Sequence, residues 1–316
     1  MKKEYVATPS TLCGAERFIY SDGKARGVEA VRMYNGKIDL TVILDRGMDI
    51  FKLFYKGTPI SYISKNGLVS PKLCETAAYT FLNSFDAGFV YTCGLDNVGA
   101  PYDKNGAHFV QHGSNSYIPA ENVCVLTEEK DGEYYITLKG ELHVTALFGK
   151  NLVMCREISM KYLGDEVTIT DSIRNDGFTD GEYMIMYHSN IGYPILNEKA
   201  TLKVDSNEIR PISDSPRMDK YSEFTAPSPE SPEEVMLHVL NKGRGVKARL
   251  DGEALALELI FDTDEFPYLV EWKSMASGDY VLGIEPSTIP MPERTPRILK
   301  PSESAHHSVT WRFEEK

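Results

Sequence analysis

Apolar and polar positions alternate along much of this chain. Ile38, Leu40 and Val42 interleave with Asp39 and Thr41, and Tyr134, Ile136 and Leu138 with Tyr135, Thr137 and Lys139. Val167 and Ile169 alternate with Thr168 and Thr170, and Val309, Trp311 and Phe313 with Thr310 and Arg312. Period two places successive side chains on opposite faces, so these segments predict antiparallel strands with one buried face. Turn dipeptides punctuate them: Asp22-Gly23, Asn35-Gly36, Asp131-Gly132, Asp176-Gly177, Asp180-Gly181 and Asp251-Gly252. Such pairs tolerate positive φ and favour tight hairpins. The expected fold class is all-β.

Helical signals are short. Residues 75–87 fit a helix. Pro232 to Leu240 fits one with Pro in its first turn, or a strand, because Val235, Leu237 and Val239 alternate. No long amphipathic helix and no Rossmann-type Gly-rich turn is present. The stretch from Arg210 to Glu234 is rich in Pro, Ser and Glu. Similar β patterns flank it, so it is expected to cross the surface as a rim or lid of a site. Residues 1–316 are expected to form one domain, since 316 residues with 42% hydrophobic content suffice for a large buried core.

Charge narrows the partners. A formal net charge of −12 repels phosphate backbones and anionic lipid, and the basic residues are scattered. Nucleic acid and membrane surfaces are therefore not expected partners. The five cysteines, Cys13, Cys74, Cys93, Cys124 and Cys155, are odd in number and lack CxxC spacing. They read as free thiols of a reducing compartment. No signal-peptide core follows Met1, and no run approaches the roughly 18 apolar residues of a membrane span. A cytoplasmic protein, monomer or homodimer, is expected.

Candidate chemistry lies in three separated stretches: Gln111-His112-Gly113, Tyr187 to Pro194, and Gly283-Ile284-Glu285-Pro286. His188 follows the apolar run Met184 to Tyr187, where a lone histidine is ordinarily a hydrogen-bonded core residue. Asn190, Gly192 and Tyr193-Pro194 turn that strand end into a polar cluster suited to a site. Glu285 ends an apolar strand, either paired structurally or functional. Partial burial would raise its pKa above about 4.3 and make it a better base. Arg46 is either a salt-bridge partner of Asp45 or Asp49 or a guanidinium fork for sugar oxygens. Lys273 beside Trp272 is similarly open, and Asp96 either ends a turn or binds ligand. His108 and His112 share a strand face about 13 Å apart, too far for one ion. His306 and His307 point to opposite faces. No zinc spacing, nucleophile elbow or P-loop is present, so neither metal nor cofactor is expected.

Together, Leu44-Asp45-Arg46-Gly47-Met48-Asp49, Cys93-Gly94-Leu95-Asp96, His112-Gly113, the Tyr187-His188-x-Asn190-x-Gly192-Tyr193-Pro194 run and Gly283-Ile284-Glu285-Pro286 resemble the aldose 1-epimerase-like proteins, and within them the DUF4432 branch. The resemblance extends from about Leu44 to Phe313. It implies a galactose mutarotase-like β-supersandwich with few short helices. It implies that Glu285 is the base taking the anomeric hydroxyl proton and His188 the acid protonating the ring oxygen. It implies that Arg46 and His112 hold the sugar. The family's sugar-binding aspartate on a later strand has no clear counterpart, and Glu234 stands as its candidate. Asn190, Asp96 and Lys273 complete the expected substrate-binding set.

The reading that follows is a cofactor-independent aldose mutarotase or related sugar epimerase. The alternative is a non-catalytic carbohydrate-binding or regulatory module of the same fold. It is disfavoured because binding alone needs no acid–base pair. A polysaccharide lyase or hydrolase would carry an added helical domain that no segment here predicts.

Overall fold

The computed structural model describes residues 3–74, 80–104, 106–214 and 216–316. Their strands form two large antiparallel sheets packed face to face. The all-β expectation therefore holds, and α-helix among the described residues is confined to Phe81–Ser84. That helix lies within the 75–87 segment, of which residues 75–79 fall outside the described residues. The ambiguous segment near Pro232 is a strand, Glu233–Leu240.

One sheet has 12 strands. Its central part runs in the order β1 (Val90–Leu95), β2 (Gly181–Ile191), β5 (Asp279–Ser287), β4 (Tyr268–Ala276) and β3 (Glu233–Leu240). The second sheet has 8 strands, among them Glu133–Thr145, Asn151–Lys161, Glu166–Asn175 and Ser304–Glu315. The alternating positions behave as their period demands. Ile136, Leu138, Val167, Ile169, Val309 and Trp311 all point between the sheets and are buried. Leu40, Ile185, Leu282 and Ile284 meet them from the 12-stranded sheet.

Polar ties cross this core. The Trp311 indole N–H donates to Ser189 Oγ at 3.1 Å. Arg156 bridges the sheets: it lies 2.7 Å from Asp171 within its own sheet and 3.2 Å from Asp49 across the interface. Asp49 also accepts from the Thr92 N–H and Ser116 Oγ. So Asp49 anchors the strand and turn beside the site, not Arg46. Buried charges persist only when paired and hydrogen-bonded, and these are.

The turn dipeptides divide by outcome. Asp131-Gly132 is a two-residue hairpin with φ of 54° and 78°, as its composition demands. Asn35-Gly36 and Asp251-Gly252 also join paired strands. Asp22 instead caps a short 3-10 turn. Asp176-Gly177 and Asp180-Gly181 lie where the chain passes from one sheet to the other. A local turn signal does not say which sheet receives the next strand.

Candidate functional site

Strand register builds the site. Tyr91 of β1 faces His188 of β2, Val270 of β4 faces Glu285 of β5, and Leu237 of β3 faces Val270. Between β2 and β5 the partners Met186↔Ser287 and Ser189↔Ile284 set His188 opposite Glu285. Tyr91, His188, Glu285, Val270 and Leu237 therefore form one lateral row, on the face turned away from the second sheet. Asn190, Gly283, Trp272 and Val235 form the next row.

His188 Nε2 lies 3.2 Å from Glu285 Oε1, and both residues are buried. Gly283 makes this possible. A Cβ there would collide with Glu285 Oε1 and lie 3.1 Å from Trp272 Cβ. The glycine two residues before Glu285, on the same face, thus leaves the space its carboxyl occupies. Gly192 permits a close backbone approach, as its type suggests. A Cβ there would sit 3.1 Å from Tyr62 Cα, so it admits neighbouring backbone, with its N–H bonded to Ile60 O.

Burial governs the electrostatics. It pushes the Glu285 carboxyl well above the usual carboxylate range, and the charge of Glu233 adds to the rise. Burial likewise holds His188 well below the usual imidazole value, with His112 adding to the depression. The pair is thus favoured as neutral carboxylic acid and neutral imidazole, holding one proton between them.

Several polar atoms around the pair find no hydrogen-bond partner among the described residues: His188 Nδ1, Glu285 Oε1, Asn190 Oδ1, Tyr91 Oη and Arg46 Nη2. Leaving such groups unmet costs roughly 1–3 kcal/mol each. A polyhydroxylated ligand would supply what they lack.

Two expected residues join the pair from loops. His112 has a left-handed φ of 59° and stacks edge-on 5.6 Å from His188. Its Nδ1 accepts from Gly99 N–H at 3.4 Å, which places the proton on Nε2. Burial lowers its pKa to about 4, so it binds as a neutral ring. The segment around it turns instead of extending: Gly113 follows with φ 80°. Exposed His108 pairs with Asp103 on a separate small hairpin. Arg46 is buried against the rings of Tyr91 and Tyr117, 5.9 and 5.4 Å from their centroids. Its Nη1 donates to Val69 O, and its Nη2 lies 3.5 Å from Asp86. Burial pushes Asp86 up to about 6 against the opposing pull of Arg46. Neither Asp45 nor Asp49 is its partner. Phe85 closes the wall, 5.5 Å from the His188 ring and 6.3 Å from Trp272.

Three expected ligand-binding residues lie elsewhere. Glu234 and Lys273 face each other on the opposite side of β3 and β4, toward the core. Lys273 donates to the carbonyls of Lys220, Tyr221 and Glu223, and Glu234 holds Arg217. They fasten the Pro- and Ser-rich connection over the sheet edge. Ile212 of the same connection packs on the site side against the cluster that includes Tyr91, Leu237 and Val270, so the connection borders the site as a rim. Asp96 accepts from Ser114 N–H and Oγ and pairs with Lys150, outside the His188 row. The residue missed is Glu233. It shares the site-side face of β3 with Val235, accepts from the Trp272 indole at 2.9 Å and is felt electrostatically by Glu285. The clue in the sequence was parity: Val235, Leu237 and Val239 share a face with position 233, not 234. Among the described residues no group of three or more His, Cys, Asp or Glu side chains is placed to hold a metal.

The chain belongs to the domain of unknown function family DUF4432, whose model matches residues 25–299. Its fold is that of the galactose mutarotase-like proteins. A candidate aldose 1-epimerase from Klebsiella pneumoniae superposes with a TM-score of 0.85 at 22% identity, covering 95% of this chain and 83% of that one. A galactose mutarotase-like protein from Clostridium acetobutylicum gives 0.67 at 14%, over 97% and 100%. Galactose 1-epimerase from Lactobacillus acidophilus gives 0.60 at 12%, over 95% and 98%. No curated protein matches in sequence.

Proposed function

We propose that the chain interconverts the anomers of an aldose by acid–base ring opening and closure at Glu285 and His188. One observation carries this reading: a buried Glu–His pair 3.2 Å apart, ringed by polar atoms that lack partners. The likeness to aldose 1-epimerases in fold supports it.

The neutral pair is the form that closes a ring. His188, as free imidazole, takes the proton of the attacking sugar hydroxyl, and Glu285 gives its proton to the carbonyl oxygen. Closure leaves imidazolium and carboxylate. That form opens the next ring: Glu285 takes the anomeric hydroxyl proton and His188 protonates the ring oxygen. Rotation about C1–C2 between the two steps changes the anomer. Each step takes one proton from the sugar and returns one to it, so the pair keeps one proton throughout and no cofactor is consumed. Acid and base positioned in this way each contribute about 10²–10⁴-fold. Arg46, His112 and Asn190 hold hydroxyls throughout, and Glu233 accepts one at the edge of the site.

The test is saturation-transfer NMR of anomer exchange over a panel of aldoses. At least one sugar should exchange far above its spontaneous rate. Binding by calorimetry without any accelerated exchange would replace this reading with that of a carbohydrate-binding module.

A further inference from the structure

The turn between the strands Glu133–Thr145 and Asn151–Lys161 presents Leu147 and Phe148 to solvent, 87% and 100% exposed. Phe178, 97% exposed, stands on the 176–180 turn. The two turns are tied together: Asp176 N–H donates to Asn151 O at 2.9 Å, and Asn151 Nδ2 to Asp176 O at 3.2 Å. Single exposed apolar residues are ordinary on protein surfaces. Large ones gathered on adjacent turns mark a contact site.

Both turns border a cavity of about 890 Å³, whose apolar wall includes Leu95, Ile118, Val144, Met184, Tyr102 and Phe109. Its charged lining is balanced, with Lys104, Lys150 and Arg294 against Asp96, Asp180 and Glu182. The chain as a whole carries −12. Most of its surface therefore repels a second copy, and this face does not.

We infer that two copies of this chain meet here about a two-fold axis, the Leu147–Phe148 and Phe178 knobs of each entering the cavity of the other. Knobs and cavity lie on one face of one molecule. A closed two-fold contact uses both at once, because each surface meets its own complement. Balanced charges serve the same geometry, since Lys104 and Lys150 can meet Glu182 and Asp96 across the axis as they now do within the chain, at 3.3 and 3.2 Å. A strongly basic partner would find no acidic patch on this face to recognise.

Sedimentation equilibrium on the full chain tests the inference. The wild type should be a dimer. Phe148→Asp with Phe178→Asp should raise the dimer dissociation constant at least about 30-fold, the effect of losing an interface anchor. Both side chains are exposed, so far-UV circular dichroism should not change. A wild type that remains monomeric at about 100 μM overturns the inference. So does a double variant whose dimer is as tight as the wild type's, because the contact then lies on another face.

Discussion

Two buried Glu–His pairs occupy opposite faces of the same sheet, and they differ in how fully they are satisfied. On the core side, His238 Nε2 lies 2.9 Å from Glu271 Oε2 and its Nδ1 lies 3.1 Å from Ser206 Oγ. The other Glu271 oxygen makes no hydrogen bond among the described residues but lies 3.4 Å from the Lys273 ammonium, which is itself capped by three carbonyls. On the outer side, His188 Nε2 lies 3.2 Å from Glu285 Oε1, while His188 Nδ1 finds no hydrogen bond among the described residues. The same residue types thus make a brace in one place and a candidate reaction centre in the other. The brace's imidazole is bonded at both nitrogens within the fold, and the site's imidazole keeps one in reserve.

The sharpest way to break this contrast is to truncate the brace. Glu271→Ala leaves Lys273 buried without its carboxylate, so denaturant unfolding should show about 3–5 kcal/mol less stability. Anomer exchange per folded molecule should hardly change. A variant of full stability that has lost exchange would invert the two assignments. Next in size is Glu285→Gln, which should bind sugar while exchange falls at least about 10²-fold. His188→Asn should match it, and the double variant should lose little more, because one proton transfer needs both groups. Full exchange in Glu285→Gln would remove it as the base.

The pH profile sharpens the contrast further. The active pair holds one proton. It gains a second when His188 protonates, well below 6.5, and loses its own when Glu285 ionises, well above 4.5. Hence kcat/KM should show an acid limb well below pH 6.5, set by His188, and an alkaline limb, set by Glu285, that is absent in Glu285→Gln. An acid limb centred at 6.5 in the wild type would mean that burial does not govern His188. The smallest effect belongs to Glu233→Gln. It removes the negative charge that raises Glu285, so the alkaline limb should move to lower pH, with KM raised a fewfold. An unmoved limb would exclude Glu233 from the site's field.

Much of this was legible in the sequence. The alternation at Ile38–Val42 and Val309–Phe313, and the glycine and carboxylate of the Gly283–Pro286 run, fall where local pattern dictates. His188, His112 and Arg46 do converge on one side of the sheet. Glu234 and Lys273 were misplaced because strand parity is unforgiving: a one-residue step moves a side chain to the other face. Both faces of β3 are largely buried, so apolar residues at 235, 236 and 237 blur which parity faces the site. Asp96 was misplaced because the turn after β1 carries it past the row that Tyr91 begins. Such displacements depend on tertiary register, which no local window contains.

Gly283 offers a way to sort relatives without any assay. The position of the Glu285 carboxyl depends on a methyl group that is not there. A homologous chain that keeps the glutamate but replaces the glycine, even by alanine, cannot hold the carboxyl against the histidine in the same way. Such chains would be expected among members that retain a ligand and have abandoned turnover. The tripeptide pattern Gly-x-Glu is thus a more discriminating mark than the glutamate alone.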